Sequence, residues 1–213
     1  MNQVRYKLLV GVTGSPGCGK TTVCDLLRDK GVLVIDVDQA GRWVVEHSAA
    51  LRLRLRATFG DDYFFADGSL DRKKLSTLVF ANHDELLKLN RIVHPFMINR
   101  VRQQMLAAMQ DKRSLPYLVI DMALLFELHL NMEMDFVVTV TAPQEMRLQR
   151  LMSRHGVSPQ QAEQMTNAQL PQEIKAARAD YVLANDDNIL QLQLRVDTLH
   201  KELLNKSNLS DSH

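Results

Sequence analysis

The segment Gly14-Ser15-Pro16-Gly17-Cys18-Gly19-Lys20-Thr21 fits the pattern G-x-x-x-x-G-K-[ST] and restricts this chain more than any other stretch. Before it, Leu8-Leu9-Val10-Gly11-Val12-Thr13 is a short apolar, partly β-branched run that reads as a buried strand. After it, Val23, Leu26 and Leu27 follow helical spacing over residues 21–30, and Gly31 supplies a stop. A glycine-rich loop in that setting turns successive backbone N–H groups inward and adds the positive end of a helix dipole, which makes it a cradle for phosphate. Lys20 is placed to reach β- and γ-phosphates, Thr21 to offer its hydroxyl to Mg²⁺, and Thr22 to meet an α-phosphate. A chance glycine-rich turn is the competing reading, and it leaves the flanking strand and helix unexplained.

A second strand over Val32–Ile35 completes a βαβ unit, which generates a parallel sheet with helices on its faces. Tyr117–Asp121, Phe136–Val140 and the weaker Tyr181–Leu183 extend the expected sheet to five strands. From Arg42 to Arg113 the strand signal nearly vanishes, and Leu86, Leu89, Ile92, Val93, Met97 and Val101 recur at helical intervals. The expected organisation is an α/β core over residues 1–60 and 115–206 with a helical insertion over 61–114. A polar helical stretch from Pro143 to Arg178 contains a lid at about 148–170, and the Ser-, Asn- and Asp-rich tail from Asn205, above all 207–213, is expected to fray.

Lys and Arg total 26 against 25 Asp and Glu, so the chain lacks the basic footprint of nonspecific nucleic-acid binding. Its 213 residues, 46% hydrophobic, suffice for one good core and a smaller appended region. Cys18 and Cys24 read either as a redox pair or as structural thiols, the second being favoured, and a reducing compartment fits them best. The apolar run Leu8–Val12 is too short for a signal segment or a membrane span, so the expected location is the cytoplasm, with no membrane partner. No oligomeric state follows from these residues.

Val34-Ile35-Asp36-Val37-Asp38 puts two acids at the carboxyl end of a strand, where open parallel sheets meet their ligands. The pair divides between holding water around Mg²⁺ and orienting an acceptor hydroxyl, with Asp38 favoured for the hydroxyl; capping of the next helix is the plainer alternative. Leu118-Val119-Ile120-Asp121 resembles a Walker B strand whose acid holds Mg²⁺ through water, and Glu127 follows it. Arg147, Arg150 and Arg154 share one helical face, as a phosphate clamp led by Arg150 or as a solvated basic face. His94-Pro95 on its residues alone reads as a kink with a satisfied histidine.

Together these segments resemble dephospho-coenzyme A kinase, a P-loop kinase that transfers the ATP γ-phosphate to the ribose 3′-hydroxyl of dephospho-CoA. The resemblance runs from Gly11–Thr21 through Asp36-Val37-Asp38 with Arg42, and reaches Ala66-Asp67-Gly68-Ser69-Leu70-Asp71-Arg72, the segment most particular to the family. It continues through Val79-Phe80, His94-Pro95, Leu124-Leu125-Phe126-Glu127, Arg150, Arg154, Gln169-Leu170-Pro171, Lys175, Ala179-Asp180 and Asn185. The resemblance implies Asp38 as catalytic base, Lys20 and Arg150 as a transition-state clamp, and ATP bound by Gly14–Thr22, Arg150 and Asn185, the last at the adenine. It assigns Asp36, Asp38, Arg42, Asp67, Leu70, Arg72, His94, Asp121, Leu125 and Glu127 to the acceptor side, and Mg²⁺ to Thr21 with Asp36 or Asp121 through water.

Ser15-Pro16 and Cys18 depart from the family's G-G-I-G-S-G-K-S loop, and Thr21 replaces Ser while keeping the hydroxyl. Met122-Ala123 stands where the family usually carries Pro before its Leu-Leu pair. A nucleoside or nucleotide monophosphate kinase is the nearest rival, and the Asp67–Arg72 segment speaks against it. A nucleotide-dependent switch lacks support, since Asn205-Lys206 is followed by Ser207-Asn208 and not by a guanine-reading Asp. Lys20, Thr21, Asp38 and Arg150 are all present, which argues against an inactive subunit.

Overall fold

The computed structural model describes residues 8–110 and 117–209. Strand β1 (Leu9–Gly14) is buried along its whole length, as expected of a strand paired on both edges and covered on both faces. It pairs in parallel with β3 (Leu118–Asp121), from Leu9 opposite Leu118 to Val12 opposite Asp121, and with β4 (Phe136–Thr141), from Val10 opposite Phe136 to Gly14 opposite Val140. β2 (Leu33–Asp36) and β5 (Tyr181–Ala184) complete a five-stranded parallel sheet in the order β2-β3-β1-β4-β5. The expected strands are the observed ones, with ends shifted by at most one residue. Strand order reverses at β1, so the loop after it occupies the switch point at which such sheets bind ligands.

Helix α1 (Lys20–Asp29) and the long α9 (Ile189–Leu209) pack onto this sheet. Leu192, Val196, Leu199 and Leu203 of α9 form a buried stripe at helical spacing, in one cluster with Val23 and Leu27 of α1 and Val10, Val119 and Val138 of the sheet. Each such side chain contributes roughly 1.5–3 kcal/mol by burial. This stripe explains why the frayed tail expected from residue 207 is not found there: α9 runs on to Leu209, and Ser207 is fully buried with its hydroxyl donating to the Leu204 carbonyl at 2.8 Å. Back-bonding within the helix satisfies the serine without breaking the turn. Residues 210–213 of that expectation lie outside the described residues.

The chain separates into two compact units, one formed by the residues up to Asp36 and from Ala108 onward, the other by Val37–Ala107. The second holds α2 (Val37–His47), α3 (Ala49–Phe59), a short 3₁₀ turn at Asp61–Tyr63, α4 (Arg72–Ala81) and most of α5 (His83–Gln110). Residues 37–60, expected with the sheet, thus group with the helices. The Arg100 guanidinium of α5 lies 3.9 Å from the centre of the Trp43 ring on α2, and a Cβ on Gly41 of α2 would stand 3.4 Å from the Met97 sulfur of α5. The remaining helices are α6 (Gln144–His155), α7 (Pro159–Asn167), which carries a Ser158–Gln161 capping box, and α8 (Gln172–Ala177). No helix among the described residues is long and apolar enough to cross a membrane.

Candidate active site

The loop after β1 has the shape its glycines permit. Gly17 and Gly19 have φ of 79° and 90°, a region that side chains with a Cβ enter only at a cost of about 1–2 kcal/mol. A Cβ on Gly17 would also collide with the Arg147 backbone at the start of α6, and one on Gly19 with the Asn185 amide. Asn185 is buried and donates from Nδ2 to the Cys18 carbonyl at 2.8 Å. The Arg150 guanidinium reaches the Gly17 carbonyl at 3.4 Å and the Asn185 carbonyl at 3.4 and 3.5 Å. Both residues expected at ATP therefore hydrogen-bond carbonyls of the loop, Asn185 closely and Arg150 only through long contacts.

The arginine stripe of α6 grades from inside to outside. Arg147 is buried, and its Nε lacks a hydrogen-bond partner among the described residues; Arg150 is half-buried at the loop; Arg154 is exposed. Arg147 also lines a cavity of about 360 Å³ with Thr141, Pro143, Gln172, Ala184 and Asp186. Cys18 and Cys24 are free and buried, and burial pushes both thiols up from their ordinary range. They are therefore poor nucleophiles, in keeping with the structural reading.

At the carboxyl end of β3, the Asp121 carboxylate receives the Lys20 ammonium. Asp36 is the register partner of Asp121 on β2, so two carboxylates end neighbouring strands. Among the described residues there is no cluster of three or more His, Cys, Asp or Glu that would make a closed protein cage for a metal.

The turn after Asp121, where Met122-Ala123 depart from the family's proline, is held by hydrogen bonds instead. The Ala123 carbonyl accepts from the Thr13 hydroxyl at 3.1 Å and from the Lys175 ammonium at 2.7 Å. Lys175 of α8 is completely buried, and its other contacts are Gln169 Oε1 at 3.1 Å and Glu127 Oε1 at 3.0 Å. Three acceptors for three N–H groups satisfy a buried ammonium; burial lowers its pKa while Glu127 opposes that shift. Glu127 Oε1 also accepts from the Leu170 N–H at 2.9 Å, tying residues 169–170 to the turn after β3. Sequence reasoning missed this network, and no compositional signal separates a buried lysine from an exposed one. Leu125, expected at the acceptor, has no exposed surface, and its methyl fills the space beside Gly11, so its contribution is core packing.

Within the Val37–Ala107 unit, a cavity of about 490 Å³ is lined by Asp38, Gly41, Arg42, Val45, Leu70, Arg72, Leu75, Ser76, Leu89, Asn90, Val93, His94 and Met97. Five expected acceptor residues, Asp38, Arg42, Leu70, Arg72 and His94, meet here although they come from α2, the turn before α4, α4 and α5. Apolar walls with a few polar groups suit a nucleoside-sized ligand. Arg72 donates to the Arg42 carbonyl at 2.8 Å and faces Glu46 at 3.4 Å, which fixes the turn against α2. Burial lowers the pKa of His94, which favours its neutral form. Asp67 lies outside this cavity: its Oδ1 accepts from the Ser69 N–H at 2.9 Å and hydroxyl at 2.6 Å, closing a turn in which Gly68 has φ 80°. Asp36, Asp121, Leu125 and Glu127 belong to the sheet unit and do not line it.

The chain matches the family model for dephospho-CoA kinase over residues 8–191. It is 34% identical over 194 residues to a dephospho-CoA kinase of Bacillus cereus, covering 91% of this chain and 96% of that protein. To one of Syntrophus aciditrophicus it is 36% identical over 202 residues, covering 95% and 86%. The crystal structure of TT1252 from Thermus thermophilus matches with a TM-score of 0.78 and 31% identity over 93% of this chain and 99% of that one. A dephospho-CoA kinase from Campylobacter jejuni, 22% identical, shares the fold at a TM-score of 0.68 over 92% and 97% of the two chains.

Proposed function

The chain belongs to the dephospho-CoA kinase family, and we propose from that premise how its own residues move the γ-phosphate of ATP onto the ribose 3′-hydroxyl of dephospho-CoA. The products are CoA and ADP, and the reaction is the last step of CoA biosynthesis. Phosphoryl transfer passes through a loose transition state with charge spread over the equatorial oxygens, so positioning and electrostatic stabilisation carry the catalysis. The backbone of Gly14–Gly19, with Lys20, Thr21 and Thr22, holds the triphosphate. Lys20 exchanges Asp121 for the β- and γ-phosphates, and Arg150 turns its forked donors to the phosphoryl group in flight. The adenine lies beside Asn185, next to the cavity lined by Thr141, Arg147 and Asp186.

Asp38 orients the acceptor hydroxyl and takes its proton late in the transfer. Arg42, Leu70, Arg72 and His94 hold the acceptor, and Asp67 shapes the turn that presents Leu70 and Arg72. Thr21, with Asp36 or Asp121 through water, would hold Mg²⁺, which when bound with ATP neutralises charge on the β- and γ-oxygens. Residues 148–170 act as a lid whose closure excludes water and favours the hydroxyl over hydrolysis. The two buried free cysteines suit a reducing compartment, and the cytoplasm is the proposed location.

The observation that supports this division of labour most is the meeting of Asp38, Arg42, Leu70, Arg72 and His94 on one cavity. Its test is ADP release with ATP and Mg²⁺ across a panel of dephospho-CoA, nucleosides and nucleoside monophosphates. Stimulation by dephospho-CoA far above the rest is expected. Preference for a nucleoside monophosphate would retain the phosphate site and overturn the acceptor.

A further inference from the structure

We propose that a second cavity of the Val37–Ala107 unit receives the diphosphate of the acceptor, held by Arg52 and Arg72. The inference rests on dephospho-CoA being the acceptor. This cavity, of about 420 Å³, shares three lining residues, Val45, Leu70 and Arg72, with the cavity that contains Asp38. Dephospho-CoA is more than a nucleoside: its ribose 5′ oxygen carries a diphosphate and then a pantetheine chain. The largely apolar cavity at Asp38 suits the nucleoside. A ligand with its ribose there must send the diphosphate elsewhere, and the shared wall leads to the cavity that adds Arg52.

The polar groups of the second cavity favour an anion over a neutral chain. Arg52, half-buried on α3, spends Nη1 on the Glu46 carbonyl at 2.5 Å, and its Nε and Nη2 meet no acceptor among the described residues. Arg72 spends Nη2 on the Arg42 carbonyl and on Glu46, which leaves Nε and Nη1 for a ligand. A guanidinium fork matches phosphoryl oxygens bidentately. Two acids also line the cavity, and both are engaged. Asp67 Oδ1 is committed to Ser69, while Glu46 stands 3.4 Å from Arg72, a long contact that a diphosphate would replace with shorter ones. The Asp67–Arg72 segment thereby acquires a reason: it walls the space for the part of the acceptor that a nucleoside monophosphate lacks.

The experiment compares steady-state kinetics of the full chain, Arg52→Met and Arg52→Lys with two acceptors, dephospho-CoA and adenosine, the latter carrying no diphosphate. Arg52→Met is expected to raise KM for dephospho-CoA about tenfold or more, since it removes binding present in ground and transition states alike. The kcat/KM for adenosine is expected to stay within about twofold, and Arg52→Lys to recover part of the loss by restoring charge without the fork. A dephospho-CoA KM within about twofold of the parent, or equal losses on both acceptors, overturns the inference. Failure of the parent chain to use dephospho-CoA would overturn the functional reading and this inference together, whereas unimpaired use by Arg52→Met overturns this inference alone.

Discussion

In the sheet unit the proposed phosphate site is largely main chain: the loop of Gly14–Gly19 offers N–H groups, and its shape depends on the left-handed Gly17 and Gly19. In the helical unit the cavity is lined mainly by side chains, with Asp38 and Arg42 from α2, Arg72 from α4 and His94 from α5. A main-chain site tolerates side-chain change where the backbone still fits, as Ser15-Pro16 and Cys18 illustrate. It fails where a Cβ is added at a left-handed or crowded glycine. A side-chain site has the opposite sensitivity, because each polar group is individually replaceable and each carries a separate part of recognition.

Substitutions on either side of that contrast can break it. The largest effect is expected from Lys20→Met, about 10³-fold in kcat, or roughly 4 kcal/mol of barrier. Dephospho-CoA affinity, measured by calorimetry, is expected to hold, because the proposed role of Lys20 is at the donor alone; a parallel loss of acceptor binding would erase that division of labour. Next comes Lys175→Met, which leaves the part-buried Glu127 carboxylate without its counterion and is expected to lower unfolding free energy by about 3 kcal/mol in denaturant titration. Adding Glu127→Gln should restore part of it, and a purely additive double variant would show that the ion pair is not the cause.

Asp38→Ala is expected to lower kcat by about 10²-fold, equivalent to roughly 2.7 kcal/mol, with ATP affinity unchanged. Undiminished turnover would remove Asp38 from the mechanism. The smallest effect concerns His94. Its pKa in the folded chain is held below the ordinary 6.5 by burial, so as pH falls through that value the unfolded chain takes up its proton first. Stability is therefore expected to decline on acidification below pH 6.5, and His94→Gln should flatten that slope in pH-dependent melting. An unchanged slope would mean that other groups set it.

The two units also differ in how much of them can be read from residues. Strands β1 to β5 and the phosphate loop are contiguous runs, so apolar pattern and spacing identify them. Asp36 and Asp38 follow the second apolar run, so two acids near a strand end are legible from the residues alone. That Arg42, Leu70, Arg72 and His94 join Asp38 follows only from the family resemblance, since nothing local relates α2 to the middle of α5. Where the reading misplaces a residue, tertiary packing is the reason. Leu125 is core because Gly11 leaves room for it, and Ser207 is buried because the apolar stripe of α9 extends beyond its polar composition. Lys175 is charged in sequence and interior in the fold because three acceptors converge on it.

The most direct test of the central claim is the identity of the product formed from ATP, Mg²⁺ and dephospho-CoA, with the phosphorylated position assigned by ³¹P NMR and mass spectrometry. A single product bearing a new phosphomonoester on the ribose 3′ oxygen, formed one for one with ADP, is the predicted result. Free phosphate alone, or a phosphate on any other oxygen of the acceptor, would contradict it.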